Sequence, residues 1–279
     1  MHLVVQAPEI ATGNVKALAQ STGGRSIVAL KRSACDAFRI EHIVTSEGTA
    51  AFCAAAALDF ALVPNDRVLD RVRLIAMDMD STLITIECID ELADMLGIKD
   101  RVAAITARAM RGEIDFATSV GERLALLRGA RVGALERVYA ERLELSPGAE
   151  RLLAAAKRIG AATLLVSGGF TFFTERLQSR LGFDHVLANT LEIDGGVLTG
   201  RVIGDIVDAA AKARIVRRLR DELATGDALA VAIGDGANDL PMLAEAHVSV
   251  AYRAKPAVRA RTTHAIDHCG LDAVLNLFV

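Results

Sequence analysis

The stretch Leu74-Ile75-Ala76-Met77-Asp78-Met79-Asp80-Ser81-Thr82 decides the fold of this chain of 279 residues. Its first four residues are an apolar run that is typical of a buried strand. Two carboxylates, Asp78 and Asp80, follow the run at the place where open α/β sheets bind their ligands. On an extended backbone both side chains point the same way, and two like charges this close cost roughly 4 kcal/mol at an effective dielectric of about 20. The stretch therefore predicts either a divalent metal or one carboxyl group with a shifted pKa.

Two further apolar runs end in polar loops. One run precedes Ser167-Gly168-Gly169 and the other precedes Gly234-Asp235-Gly236-Ala237-Asn238-Asp239. Strand and helix patterns alternate through residues 71–252, which predicts a doubly wound, mostly parallel α/β sheet with helices on both faces. The three loops then share one edge of the sheet. Carboxylates there suit Mg²⁺, and glycine lets backbone amides approach an anion.

The patterns divide the chain into three units. The pattern of residues 1–70 predicts a small α+β accessory domain without a cluster of polar residues that could form a site. Residues 71–86 and 146–279 predict the catalytic core. Residues 87–145 carry four apolar helical stripes, which predict a helical cap inserted after the first core strand and placed over the site.

Three local patterns lead to further expectations. Residues 49–61 predict an Ala-rich helix with Thr49 as its N-cap. After Val250 we expect an irregular tail. In that tail His264 and His268 have a spacing that one helix face could use for a metal, but the cluster matches no known ligand set, and we interpret it as a surface group.

Composition and charge indicate which partners and which compartment to expect. The net charge is −3 with acids and bases interspersed, which does not favour nucleic acid or an anionic membrane as the main partner. Four cysteines without a Cys-x-x-Cys motif are typical of reduced thiols in the cytoplasm. The chain has no signal-peptide pattern, and its most apolar early stretch, residues 49–63, is interrupted by Asp59 and too short for a bilayer. We therefore expect a cytoplasmic protein that is not in a membrane; the oligomeric state stays open, a homodimer included.

The loops together point to phosphoryl transfer. A carboxylate nucleophile would split the displacement of a phosphate monoester into two easier steps. It can approach a phosphate dianion only if positive charge cancels the repulsion, so a metal and a lysine are needed. Lys212 is the best-placed candidate, with Lys157 and Lys255 as the alternatives. The hydroxyls of the first two loops add candidate donors to the phosphate: Ser81, Thr82 and Ser167.

The chain resembles the phosphoserine phosphatases of the haloacid dehalogenase superfamily. The resemblance covers residues 74–252. The motifs that carry it are Asp78-Met79-Asp80-Ser81-Thr82, Glu87, Met110-Arg111-Gly112-Glu113-Ile114-Asp115-Phe116, Arg123, Ser167-Gly168-Gly169, Lys212 and Gly234-Asp235-Gly236-Ala237-Asn238-Asp239. Residues 1–70 resemble the variable amino-terminal region of bacterial members, which is related to small amino-acid-binding (ACT-like) regulatory domains.

The resemblance implies a role for each motif residue. Asp78 is the expected nucleophile and Asp80 the general acid and then base. Mg²⁺ is expected to contact the side chains of Asp78 and Asp235 and the backbone carbonyl of Asp80, with Asp239 supporting that shell. The residues implied to bind substrate are Ser167, Gly168, Lys212 and Asn238 for the phosphate, Glu87 for the ammonium, Arg123 for the carboxylate, and Met110 and Phe116 as apolar walls.

We therefore expect a Mg²⁺-dependent hydrolase that converts O-phospho-L-serine to L-serine and phosphate through an aspartyl-phosphate, the last step of serine biosynthesis. One alternative is a phosphotransferase of the same fold that passes the phosphoryl group from phosphoserine to another alcohol. Another is an amino-acid-binding regulator without catalysis, which the intact Asp78, Asp80, Lys212 and Asp235 disfavour. A phosphorylated receiver domain is disfavoured by the helical insert and by Asp80.

Overall fold

The computed structural model describes residues 1–279 and contains two β-sheets. The first sheet belongs to the amino-terminal unit, which consists of β1 (His2–Ala7), α1 (Thr12–Thr22), β2 (Ser26–Leu30), β3 (Asp36–Glu41), α2 (Thr49–Ala55) and β4 (Asp59–Val63). Its strands are antiparallel and lie in the order β2-β3-β1-β4. Buried residues such as Leu3 and Val5 on β1 pack with Val15 and Leu18 of α1, so the unit has its own small core.

The second sheet carries the three polar loops. Its seven strands are β5 (Val72–Met77), β6 (Ala162–Phe170), β7 (His185–Asp194), β8 (Val197–Ile203), β9 (Leu229–Gly234), β10 (Val248–Tyr252) and β11 (His264–Ile266). They lie in the order β11-β10-β9-β5-β6-β7-β8. Every neighbouring pair is parallel except β7 and β8, which form a hairpin around Gly195-Gly196, two residues with positive φ. The prediction of a mostly parallel sheet is confirmed.

Helices cover both faces of this sheet and extend over one edge. Between β5 and β6 the chain forms α3 (Cys88–Met95), α4 (Lys99–Met110), α5 (Phe116–Leu126), α6 (Val132–Glu141) and α7 (Ala149–Arg158). Later helices are α8 (Thr171–Leu181), α9 (Ala209–Leu223), α10 (Leu240–Leu243) and α11 (Pro256–Arg259). The four helical stripes predicted for residues 87–145 correspond to α3 to α6. None of the helices is both long and apolar enough to cross a membrane.

Strand β5 shows why the sheet is buried on two sides. Ile75 and Met77 belong to one core cluster together with residues of α7 and α8. Leu74 and Ala76 alternate with them and belong to a second cluster, with residues of α9 and α10. Because side chains of a strand alternate between faces, a strand covered on both faces is apolar throughout. Each fully buried aliphatic side chain contributes about 1.5–3 kcal/mol, so this strand anchors the loop that follows it.

The predicted helix over residues 49–61 is wrong in its second half. The helix ends at Ala55, and Asp59–Val63 form β4, which pairs with β1. Thr49 is also not the N-cap, because Gly48 occupies that position with φ 74°. Alanine favours helix in isolation. Here the buried–half-buried alternation of β4 and its pairing with β1 outweigh that local preference.

The tail after Val250 is not irregular. It contains β11 and a 3₁₀ helix at Leu271–Leu277, both packed against the amino-terminal unit. His264 lies buried on β11 beside Arg67, whereas His268 is exposed in the following loop. The two histidines therefore do not share a helix face, and His264 is not the surface group that we expected. A three-residue strand is too short for its periodicity to be visible in the sequence.

Candidate active site

The three polar loops meet at the carboxyl ends of β5, β6 and β9, which are neighbours in the sheet. A cavity opens there between the sheet and the helices α3 and α5. Eleven of the residues singled out in the sequence line it: Asp78, Asp80, Glu87, Phe116, Arg123, Ser167, Gly168, Gly169, Lys212, Asp235 and Asn238. Asp239 lies behind the cavity, fully buried. The topology thus brings together residues that lie as far as 160 positions apart in the chain.

A buried lysine lies between two buried carboxylates. The Nζ atom of Lys212 is 2.8 Å from Oδ1 of Asp78 and 2.8 Å from Oδ1 of Asp239. Lys212 is in the first turn of α9, whose N-cap Asp208 accepts a hydrogen bond from the amide of Ala211. Only 5 % of Asp78 and 1 % of Lys212 are exposed. The alternative lysines, at positions 157 and 255, are exposed and do not line the cavity.

Burial and charge oppose each other in this group. Burial raises the pKa of Asp78 well above its usual range, with a further contribution from the charge of Asp239, while Lys212 opposes both. Burial alone would lower the pKa of Lys212, but the two carboxylates outweigh it and raise that pKa. The lysine therefore stays protonated and places a fixed positive charge beside Asp78.

Asp80 contacts both the cap and the second polar loop. Its Oδ1 accepts a hydrogen bond from the amide of Cys88 at 2.9 Å, and its Oδ2 accepts one from Oγ of Ser167 at 3.3 Å. Burial raises the pKa of Asp80, and these hydrogen bonds oppose the rise. A carboxyl group with a raised pKa can hold a proton near neutral pH and give it to a leaving group.

The carboxylates of Asp78, Asp235 and Asp239 present oxygens within 4.8 Å of one another. Both oxygens of Asp239 already accept hydrogen bonds, from Lys212 and from the amide of Gly236. Asp78 uses only Oδ1 for its contacts with Lys212 and the amide of Met79, which leaves Oδ2 free.

Asp235, like Asp78, uses only one of its two carboxylate oxygens for contacts with other residues. It accepts a hydrogen bond from Thr82 through Oδ1 at 2.9 Å, and no other residue donates to its second oxygen. Burial and the charge of Asp239 raise the pKa of Asp235 to about 6. Clustered carboxylate oxygens that lack hydrogen-bond partners are the ligands that hard divalent cations prefer. The residues present therefore fit a metal cation, which would also relieve the repulsion between the carboxylates.

The predicted hydroxyl donors divide into two kinds. Thr82 is fully buried and donates to Asp235. Ser81 has a left-handed backbone, φ 53°, and donates to Oε1 of Glu87 at 2.6 Å. Of the three hydroxyls only that of Ser167 lines the cavity. The structure therefore gives no support to the expectation that Ser81 and Thr82 supply donors to a bound anion, because neither lines the cavity and both donate to carboxylates.

The outer wall of the cavity comes from the cap. Burial and the charge of Asp80 raise the pKa of Glu87 to about 7. Arg123 donates from Nε to the carbonyl of Ser119, one turn earlier on α5, at 3.2 Å. Phe116 packs close to Gly168: a Cβ at that glycine would lie 3.1 Å from Cζ of the ring. Met110, the last residue of α4, is 68 % exposed and lies outside the cavity.

Several residues that contribute to the site lie outside the sequence motifs. The amide of Cys88 holds Asp80, and the apolar side chains Ile89, Val120 and Phe170 complete the lining. Asn189 is buried on β7 and donates to the carbonyl of Gly168. One signal could have revealed Asn189, since it is a polar residue that directly follows the apolar run of a predicted buried strand.

Comparisons with known proteins agree with this architecture. The family model of the haloacid dehalogenase-like hydrolases matches residues 75–244. A phosphoserine phosphatase of Polaromonas sp. is 51% identical over 217 residues, which cover 76% of this chain and 92% of that protein. The crystal structure of a probable phosphoserine phosphatase from Vibrio cholerae, in unliganded form, has a TM-score of 0.85 and 36% sequence identity, and covers 99% of this chain and 85% of that one.

A third comparison concerns a structure with ligand. A substrate-bound phosphoserine phosphatase complex has a TM-score of 0.68 and 33% identity, and covers 75% of this chain and 99% of that one. The family model spans more than half of the chain, and the matched segment runs from β5 to the end of α10, so it contains all three polar loops. This chain belongs to the haloacid dehalogenase-like hydrolase family.

Proposed function

We propose that the protein is a phosphoserine phosphatase that hydrolyses O-phospho-L-serine to L-serine and inorganic phosphate in a Mg²⁺-dependent reaction, the last step of serine biosynthesis. The relatives compared above carry that name. The observation that carries the proposal is the buried contact between Lys212 and Asp78, with Asp80 two residues away lining the same cavity. The reaction takes place in the cytoplasm, consistent with four free cysteines.

The metal of the proposal is Mg²⁺, held by the side chains of Asp78 and Asp235 and the backbone carbonyl of Asp80. All-oxygen donors and space for the substrate phosphate suit this ion. When bound, it neutralises charge on the phosphate and lowers the repulsion that an attacking carboxylate meets. Asp239 supports the site from behind by holding Lys212 and the Gly236 amide.

In the first step Oδ2 of Asp78 attacks phosphorus. The bond from phosphorus to the serine oxygen breaks as the bond to Asp78 forms, and Asp80 gives its proton to the departing serine oxygen. Lys212 stabilises the charge that develops on the phosphoryl oxygens, together with Ser167, the amide of Gly168 and Asn238. The products of this step are L-serine and a phosphorylated Asp78.

In the second step water attacks the phosphorus of the aspartyl-phosphate. Asp80, now ionised, takes a proton from that water. The bond from phosphorus to Asp78 breaks, inorganic phosphate leaves, and both aspartates return to their starting states. A carboxyl group that gives and then takes a proton works best with a pKa near the working pH, which the burial of Asp80 favours.

The cap selects the amino acid part of the substrate. Glu87 pairs with the ammonium group, and Arg123 binds the carboxylate through two parallel hydrogen bonds. Phe116 covers the Ser167-Gly168-Gly169 loop, which we call the phosphate loop, and excludes water. Met110 lies outside the cavity, so this proposal gives it no contact with the substrate.

The test uses purified protein with Mg²⁺ and measures phosphate release from a panel of phosphorylated small molecules, including L-phosphoserine, phosphothreonine and sugar phosphates. We expect L-phosphoserine to be preferred and chelation of the metal to abolish release. Preference for another phosphate ester would overturn the substrate assignment. Transfer of the phosphoryl group to added homoserine, in place of its release to water, would identify the phosphotransferase instead.

A further inference from the structure

A buried amide connects two parts of the site that are distant in the chain. Asn189 is 1 % exposed on β7. Its Nδ2 donates to the carbonyl of Gly168 at 2.7 Å, and its Oδ1 accepts from the amide of Val207 at 2.8 Å. Val207 directly precedes Asp208, the N-cap of α9, which carries Lys212 in its first turn. One side chain therefore joins the Ser-Gly-Gly loop to the start of the lysine helix.

The local geometry explains why this contact is needed. Val166 lies opposite Leu187 and Phe170 lies opposite Asn189, so three residues of β6, 167–169, stand against the single residue 188 of β7. Such an irregularity takes backbone groups out of the regular ladder. Buried carbonyls need a partner, and the Asn189 side chain supplies one for Gly168.

The contact also orients the neighbouring donors. In a planar trans peptide the carbonyl and the following amide point in opposite directions. Holding the Gly168 carbonyl against Asn189 therefore turns the amide of Gly169 the other way, where it donates to Oγ of Ser167 at 2.8 Å. The Ser167 hydroxyl in turn donates to Asp80. Hydrogen bonds joined by the peptide between Gly168 and Gly169 thus connect Val207, just before α9, through Asn189 to Ser167 and Asp80.

We infer that Asn189 is a positioning residue: it fixes the peptide orientation of the phosphate loop and its distance from Lys212 without touching the substrate. Only a short amide meets both demands, because Gly168 presents an acceptor and Val207 presents a donor. Aspartate has no donor for the carbonyl, and serine is too short to reach both partners. This inference rests on the proposed phosphatase function for its kinetic readout.

The test compares two variants with a matched control. Asn189→Asp keeps the size of the side chain and removes the donor, while Asn189→Ser is neutral and separates the lost contact from the added charge. The control is Asn276→Asp, because Asn276 is also fully buried and donates from Nδ2 to Gln6 and Ser33, both at 2.9 Å, away from the cavity. All are measured as folded full-length protein, with unfolding curves to establish the folded fraction.

We expect both Asn189 variants to lose about 10–100-fold in kcat/KM for O-phospho-L-serine, the range seen when partners that orient a site are removed. Their dissociation constant for inorganic phosphate, measured with Mg²⁺, should rise while Mg²⁺ affinity stays unchanged. Asn276→Asp should lose stability alone. Wild-type kcat/KM and phosphate affinity in both Asn189 variants would overturn the inference.

Failure of the proposed function gives a different result. If the wild-type protein releases no phosphate from O-phospho-L-serine, the substrate assignment fails. The dissociation constant for inorganic phosphate still decides the role of Asn189, since phosphate is the group that the loop would hold in any phosphatase of this family. Unchanged phosphate binding then counts against Asn189, and weakened binding supports it.

Discussion

Two buried aspartates in this protein have opposite surroundings. Asp59, 4 % exposed, lies where the amino-terminal unit meets the core. Its two oxygens accept hydrogen bonds from the consecutive amides of Asp267, His268 and Cys269, at 2.8–3.3 Å. Asp78 is buried to a similar extent, yet Lys212 and one amide contact only its Oδ1.

The difference separates a carboxylate with a structural role from one that could react with a ligand. Burial raises the pKa of both groups, so neither burial nor a shifted pKa distinguishes them. What differs is the oxygen left without a partner. A carboxylate whose two oxygens both accept hydrogen bonds from amides holds the chain together, whereas Asp78 lines the cavity, keeps Oδ2 without a hydrogen-bond partner and has the ammonium of Lys212 beside it. Each prediction below tests this distinction.

The largest effect is expected for Asp78→Asn. An amide has no nucleophilic oxygen to form the phosphoenzyme, so phosphate release from O-phospho-L-serine should fall by about 10⁴-fold or more. The free energy of unfolding should not fall, because the substitution removes a buried charge that Asp80 and Asp239 crowd. Steady-state kinetics and urea unfolding measure the two quantities. Full activity in the variant would exclude Asp78 as the nucleophile.

The opposite pattern is expected for Asp59→Ala. It leaves three amides without their acceptor, that of Cys269 buried and those of Asp267 and His268 partly buried, at a cost of about 3 kcal/mol in the free energy of unfolding. Activity per folded molecule should stay at the wild-type level, since the contact lies outside the cavity. Asp59→Asn retains one acceptor oxygen and should cost less. A loss of kcat in folded Asp59→Ala would show that the interface also supports the site.

Two arginines extend the comparison to cations. Arg32 donates to the carbonyls of Leu275 and Phe278 and joins the two units. Arg123 makes one such bond and keeps its other donors for the cavity. Arg123→Ala should lose about 10–100-fold in selectivity for phosphoserine over substrates without a carboxylate, since it removes a charged bidentate contact. Arg32→Ala should lower stability and leave selectivity intact; unchanged selectivity in Arg123→Ala would remove that residue from the carboxylate site.

The smallest expected effect is the pH dependence of Mg²⁺ binding. Because the pKa of Asp235 is raised to about 6 in the metal-free protein, the folded state binds a proton more tightly than the unfolded state. The stability that the protonated Asp235 carboxyl contributes is therefore complete at low pH and declines as the pH rises from 3.8 through about 6. Mg²⁺ competes with that proton, so its affinity should be at least about tenfold weaker at about pH 5 than at about pH 8.

Calorimetric titration with Mg²⁺ at several pH values measures this dependence. Asp59→Asn is the control, because that carboxylate has no free oxygen and its replacement should leave the pH dependence of Mg²⁺ binding unchanged. A Mg²⁺ affinity that stays constant through pH 6 would contradict the assignment of Asp235 as a ligand.

Much of the fold could be predicted from local patterns. The apolar runs before Asp78, Ser167 and Gly234 become β5, β6 and β9, since a strand buried on both faces has a recognisable composition. The roles implied by the resemblance stay predictions until the variants are measured. Patterns failed where local preference and tertiary pairing disagree: the Ala-rich residues 49–61 end as a strand, and β11 is too short to show a period.

Motif order along the chain was sufficient to specify a parallel sheet with acidic loops at one edge, because strand periodicity and loop composition are properties of neighbouring residues. Only the packing of the chain places Lys212, rather than the lysines at 157 and 255, beside Asp78. Packing also brings backbone amides to both oxygens of Asp59 and places Asn189 between Gly168 and Val207. Those choices depend on which distant segments touch. The energy of a buried polar group is determined by the partners that reach it, and no local pattern contains them.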